Sequence, residues 1–204
     1  MGGRALDAYD VDLDRGIISL GGLEWRIHGS EYIEITHRVL GRRMGRRRAC
    51  EVIYDMAFRT AMEALQQLDY ESLFPPFAAS LLREPPDRVK LEADPVLSRF
   101  YNEMVSMLLR LAVSECGWGN PECDSLPVPS QVMLRHSVEV YWISRSEDPY
   151  WEGLRNEPVC YAFAGILAGF FSHIAGERLE AKETQCAITG EPYCVFTLSK
   201  ESQS

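Results

Sequence analysis

Six cysteines, at positions 50, 116, 123, 160, 186 and 194, are the residues of this chain best suited to do chemistry. Two of them lie in KETQCAITGEPYCVF (residues 182–196), where Cys186 and Cys194 flank a Gly-Glu-Pro turn. They could form a disulfide, remain two buried thiols, or supply half of a metal site. If Gly190 is the tip of a hairpin, positions equidistant from it pair, and Cys186 faces Cys194. Directly opposed residues have Cβ atoms roughly 4.5–5.5 Å apart, which suits two thiolates converging on one tetrahedral metal better than an unstrained disulfide. Glu183 lies at an odd offset from Cys186, on the other face of an ideal strand, so a bulge is needed to bring it round. Cys160 follows Glu-Pro-Val and opens a long apolar stretch, where a helix N-terminus favours a thiolate. Cys116 and Cys123 flank GWGNPE without a second pair nearby, and are read as free thiols.

The elements that must position these groups belong to one domain's worth of chain. With 204 residues, 46% hydrophobic and 25% charged, it can bury one substantial core. A net charge of −9 argues against direct binding to nucleic acid or to an anionic membrane, both of which need a positive field. No apolar run is long enough for a transmembrane helix, and the first residues are acidic where a signal peptide is apolar, so a cytoplasmic protein is expected. In such a reducing compartment cysteines are more often thiols or metal ligands than disulfides.

Residues 17–27 read as short strands about Gly21-Gly22, with Leu23, Trp25 and Ile27 alternating. Helical spacing follows, broken at Gly41 and Gly45, with a second helix from about 46 to 68. The segment 70–95, with Pro75, Pro76, Pro85, Pro86 and Pro95, reads as a loop with at most short helical turns, suited to act as a lid. A third helix runs from 96 to about 116. SQVMLRHSVEVYWIS (130–144) alternates as one strand with Val132, Leu134, His136, Val138 and Val140 on its apolar side. VCYAFAGILAGFFSHIAG (159–176) reads as a buried helix, ended by Gly176, whose small residues let another backbone come close. Two strands then surround TGEP, the first reaching Ile188.

Around this frame the candidate ligand-binding residues are His136, Trp118, Trp142, Trp151 and Phe163, a histidine and aromatic rings able to line a pocket for a hydrophobic molecule. The run RRMGRRR (42–48) reads as a solvated helix start or a site for a phosphate-bearing partner. There is no G-x-S-x-G, no G-x-G-x-x-G and no P-loop, and no hydride or electron source is encoded; binding is therefore expected over catalysis.

EPVCYAFAGILAGFFSHIAGERLEAKETQCAITGEPYCVF, within a dense match over 157–198, resembles the C-terminal half of the 4-vinyl reductase domain family. There Pro-Val-Cys opens a Gly-rich helix and Glu-x-x-Cys-x(7)-Cys closes a hairpin. Upstream, GIISLGGLEWRIHGSEYIEI and GRRRACEVIYDMAFRTAMEAL are similar to the first strands and helix of the related sensor domains of phenol- and xylene-responsive transcription activators. HSVEV (136–140) is similar to a family strand with Ser-x-Glu, and Leu134 stands where the aromatic-sensing relatives carry a tryptophan. The resemblance implies a structural zinc held by Cys160, Glu183, Cys186 and Cys194. It also implies an α+β fold, an antiparallel sheet packed with helices, akin to the haem-NO-binding domains and the Bet3-like tethering-complex subunits. Residues 1–30 would be N-terminal strands or a dimerisation arm, and 31–204 one ligand-binding domain of a homodimer. The expected role is a sensor of a small hydrophobic molecule, or a carrier for a pathway such as tetrapyrrole synthesis. The alternatives are an enzyme or accessory in (bacterio)chlorophyll 4-vinyl reduction, and an assembly module.

Overall fold

In the computed structural model of the chain, the described residues are 32–200 apart from 85, 87 and 115 (of 88, the backbone alone), and the backbone of three strands before them. Those strands, β1 (Tyr9–Asp12), β2 (Ile17–Leu20) and β3 (Leu23–Arg26), form an antiparallel sheet in sequence order, with Leu20 paired to Leu23. Gly21, Gly22 and Ile27, named above for this region, lie outside the described residues. Helix α1 (Tyr32–Met44) stops at Gly45, whose φ of 78° lies where an L side chain is strained, and α2 (Arg46–Gln67) starts at once.

Helix α2 rests along α8 (Tyr161–Ala175), and the reason is steric. A Cβ on Gly165 would stand 2.3 Å from the Tyr54 carbonyl oxygen, and one on Gly169 2.5 Å from that of Phe58, with Ala57 and Ala61 opposite. Two glycines one turn apart therefore make the trough in which α2 lies. The other sides of α8 are buried too, with Phe163, Leu167 and Phe171 fully enclosed, as befits a helix that is apolar all round. It ends at Gly176, in the left-handed conformation the sequence led us to expect.

The second sheet has the order β4-β5-β7-β6, from β4 (Asn120–Cys123), β5 (Gln131–Arg135), β6 (Leu179–Gln185) and β7 (Cys194–Lys200), all antiparallel. Val132, Leu134, Phe196, Leu198 and Ala181 turn their side chains into the core, and Phe196 meets Phe163 of α8 edge to face. The fold is thus the expected α+β arrangement of helices on an antiparallel sheet. Among the described residues, no helix is long and apolar enough to cross a membrane.

Two expectations are corrected. The proline-rich segment is core, not a loop. It forms α3 (Tyr70–Leu73), α4 (Pro76–Arg83) and α5 (Arg88–Ala93), which bury Tyr70, Phe74, Ala79 and Leu82. Pro76 and Pro95 sit at the first positions of α4 and α6 (Pro95–Leu109), where a missing N–H costs nothing, and Asp94 caps α6 by accepting from Val96 and Leu97 N–H at 3.0 Å. Beyond α6 the chain continues through a wider π turn, Arg110–Ser114.

The second correction concerns 130–144, which is not one strand. His136 adopts a φ of 58°, which ends β5, and Ser137 then caps α7 (Val138–Arg145), its hydroxyl accepting the Val140 N–H at 3.4 Å. Alternation in VEVYWIS masked a helix whose buried positions, Glu139 and Ile143, are one turn apart.

Candidate metal centre

Each of the four candidate ligands is delivered by a different backbone device. Cys160 is the N-cap of α8 and is fully buried. Glu183 stands where β6 is bulged: Glu183 pairs with Phe196 and Gln185 with Val195, so two steps along β6 match one along β7. This is the irregularity that the odd offset required. Cys186 leaves the strand and caps a single 3-10 turn, Ala187–Thr189, so β6 stops short of Ile188. Cys194 is the first residue of β7.

The resulting geometry is specific. The Sγ of Cys194 lies 3.7 Å from that of Cys160 and 3.9 Å from that of Cys186, and one donor atom from each of the four residues falls within 4.8 Å of the others. A disulfide holds its sulfurs about 2.05 Å apart, whereas two thiolates on a tetrahedral zinc, at about 2.3 Å from the metal, are about 3.8 Å apart. All six cysteines are free thiols, and the cluster has the spacing of ligands.

The electrostatics point the same way. Burial pushes the Glu183 carboxyl up to about 9 and the Cys160 thiol well above its ordinary value, while hydrogen bonds from Cys160 and Cys194 hold Cys186 down. With protons alone, the site tolerates little negative charge; a divalent cation would let all the donors ionise. Glu183 spends Oε2 on the Cys160 N–H at 2.8 Å, while its buried Oε1 has no protein partner among the described residues. A further shell orients the sulfurs: Ser137 Oγ lies 3.3 Å from Cys160 Sγ, and the Ala187 N–H donates to Cys194 Sγ at 3.4 Å. With three thiolates and a carboxylate the donor set fits zinc, and four protein ligands would make a closed, structural centre.

A neighbouring constellation was missed by residue-level reading. Glu139 is fully buried at the N-terminus of α8. Its carboxylate accepts the N–H groups of Ala162 at 3.2 Å and Phe163 at 2.9 Å, and lies 3.0 Å from Nε2 of the buried His37. Glu34 similarly accepts from Trp151 Nε1 at 2.6 Å, Arg38 Nε at 3.0 Å and Ser146 Oγ at 3.0 Å. Glutamates amid apolar residues, as in SVEVYWI, are the sequence signal for such pairs.

The candidate pocket residues are dispersed. His136 is exposed at the β5–α7 junction, not on an apolar strand face. Phe163 is in the core with Trp118 against it at 6.4 Å between ring centres; Trp151 is buried on Glu34; Trp142 is half-buried on α7. None of these five lines any of three clefts on the molecule, of ≈ 890, ≈ 610 and ≈ 420 Å³. The largest is walled by the start of α2, the start of α8 and β6, and includes Cys160 and Glu183 of the metal cluster.

Residues 143–200 match the model of the V4R domain, a span that takes in α8, the bulged hairpin and all four donors. The transcriptional regulatory protein XylR of Pseudomonas putida is 35% identical over 65 residues, 30% of this chain and 12% of that protein. An uncharacterized protein of Methanocaldococcus jannaschii is 36% identical over 47 residues, 22% of this chain and 21% of that protein. The chain thus spans far less than two thirds of the curated relatives it matches. Among solved structures, the phenol-responsive sensory domain of the transcription activator PoxR, with phenol, superposes with a TM-score of 0.66 at 17% identity, covering 98% of this chain and 88% of that one. That likeness extends the shared fold over the described chain. The resemblance read from the sequence therefore finds its match in the C-terminal part: residues 143–200, which carry the four candidate ligands, match the V4R domain model.

Proposed function

We propose that this chain is a sensor domain for a small hydrophobic molecule, braced by a structural zinc held by Cys160, Glu183, Cys186 and Cys194. The observation that carries the reading is the four-donor cluster, placed within a V4R match and within the fold of a phenol-responsive sensory domain. The metal would do no catalysis, because a closed set of protein ligands leaves no place for substrate or activated water. What it would supply is a cross-link between the start of α8, the bulge of β6 and the start of β7. The first two of these wall the largest cleft, so the brace would fix the shape of that side of a binding site. Within this reading the protein acts by binding, as sensor or carrier, and forms a homodimer.

The test has two parts. Protein purified without chelator is expected to hold one zinc per chain by elemental analysis, and native mass spectrometry is expected to detect a co-purified organic ligand or saturable binding of a small aromatic. Absence of stoichiometric metal would remove the brace. Turnover of a vinyl-bearing tetrapyrrole in the presence of NADPH would replace binding with catalysis.

A further inference from the structure

Helix α1 buries its polar side and exposes its apolar one. Glu34 and His37 are buried, where they meet Trp151 and Glu139. Ile35 and Val39, one turn apart on the outer side, are 38% and 43% exposed, and the exposed ring of Tyr32 continues their line one turn earlier. A helix on the surface of a monomer has the opposite arrangement, and while single exposed apolar residues are ordinary, an ordered stripe of them marks an interaction surface. The buried pairs of Glu34 and Glu139 account for the inner face. The outer face needs a cover.

The three strands that precede α1 have a matching surface. Their register sets Tyr9, Leu20 and Leu23 in one row and Val11, Ile18 and Trp25 in the next, so six apolar positions share one face of the sheet. Asp10, Asp12, Glu24 and Arg26 fall on the other face. A sheet this small is stable only when its apolar face packs against something. Three four-residue strands cover about 13 by 10 Å, which fits two turns of helix, about 11 Å long. The sheet ends at Arg26 and α1 begins at Tyr32, so the five residues between them span at most about 18 Å. With this sheet formed so close by, Ile35 and Val39 of the same chain are still exposed. We infer that a second copy of the chain supplies the cover: the apolar face of one copy's sheet packs on Ile35 and Val39 of the other, and a two-fold axis makes the contact twice. The inference rests on the homodimer of the proposed reading and assigns it an interface.

Analytical ultracentrifugation tests this. The wild type is expected to sediment as a dimer. Ile35→Glu and Val39→Glu are each expected to raise its dissociation constant on the order of a hundredfold, because each places a carboxylate in the contact. Phe77→Glu, at an exposed side chain of α4, is expected to change nothing. The three side chains are exposed in the single chain, and circular dichroism verifies that the variants fold. Exchange of the sheets is read by cross-linking, with Ile18→Cys chains mixed with Val39→Cys chains in the presence of a short bismaleimide. A covalent heterodimer joined through the two substituted positions, identified by peptide mass spectrometry, is expected; a wild-type mixture measures the reaction of the native thiols. A dimer that neither charge substitution at positions 35 and 39 weakens, or that lacks the cross-link, overturns the proposal and leaves the homodimer reading standing. A wild type that is monomeric at every concentration overturns both and gives the face of α1 to a different partner.

Discussion

Cys160 Sγ and Cys194 Sγ lie 3.7 Å apart although 34 positions separate them in the chain. The first is held by a helix start and the second by a strand start, so their meeting couples α8 to the sheet. Cys194→Ser and Cys186→Ser are expected to lose the metal and about 4 kcal/mol or more of stability, since a structural metal's binding energy is folding energy. Elemental analysis and urea unfolding with and without chelator check this: the chelator should destabilise the wild type and leave the variants unchanged.

The buried pair of Glu139 and His37 ties α1 to the start of α8, and Glu139 also satisfies two N–H groups there. Glu139→Ala leaves His37 and both N–H groups unpaired and is expected to cost about 3–5 kcal/mol. His37→Ala should cost less, because Glu139 keeps its two backbone donors. Urea unfolding of the two single variants and the double variant measures the coupling, and additive losses would show that the pair does not act as a unit.

Much of this was legible in the sequence because it depends on local rules. Gly45 and Gly176 mark helix ends, Gly165 and Gly169 mark a close approach, and equidistance from Gly190 put Cys186 opposite Cys194; the bulge at Glu183 followed from an odd offset alone. What failed needed tertiary information. Prolines that begin helices look like prolines that forbid them until the buried faces of Tyr70 and Leu82 are known. His136 interrupts an alternating pattern by backbone angle alone, which composition does not report. The candidate pocket residues are a different matter: aromatic rings such as Phe163 serve a core as readily as a ligand, and none of the five lines the cleft of ≈ 890 Å³.

The trough on α8 gives a steric prediction. Gly165→Ala and Gly169→Ala each place a methyl against a carbonyl oxygen of α2, and each is expected to cost about 1–3 kcal/mol through forced separation of the two helices. Gly176→Ala meets no neighbouring atom, and its cost of about 1 kcal/mol would come from its left-handed backbone alone. Thermal unfolding of the three variants should therefore rank the first two below the third. The reverse order would mean that α2 and α8 do not touch along Gly165 and Gly169.

The last prediction concerns pH. His173, near the end of α8, has Nε2 3.1 Å from the Tyr70 hydroxyl and 3.2 Å from the Leu82 carbonyl oxygen, and burial lowers its pKa below the ordinary value. A histidine whose folded pKa is depressed binds its proton more weakly in the native state than in the unfolded chain. Stability is then fully present above the unfolded pKa of about 6.5 and falls as pH drops from there toward the lower native value. Protonation would also set a second donor requirement on a ring whose Nε2 already serves α3 and α4. Denaturant midpoints measured between pH 7.5 and 5 should decline in the wild type and decline less in His173→Gln, which keeps a polar side chain but cannot titrate. Equal slopes in the two proteins would assign the acid sensitivity to other groups.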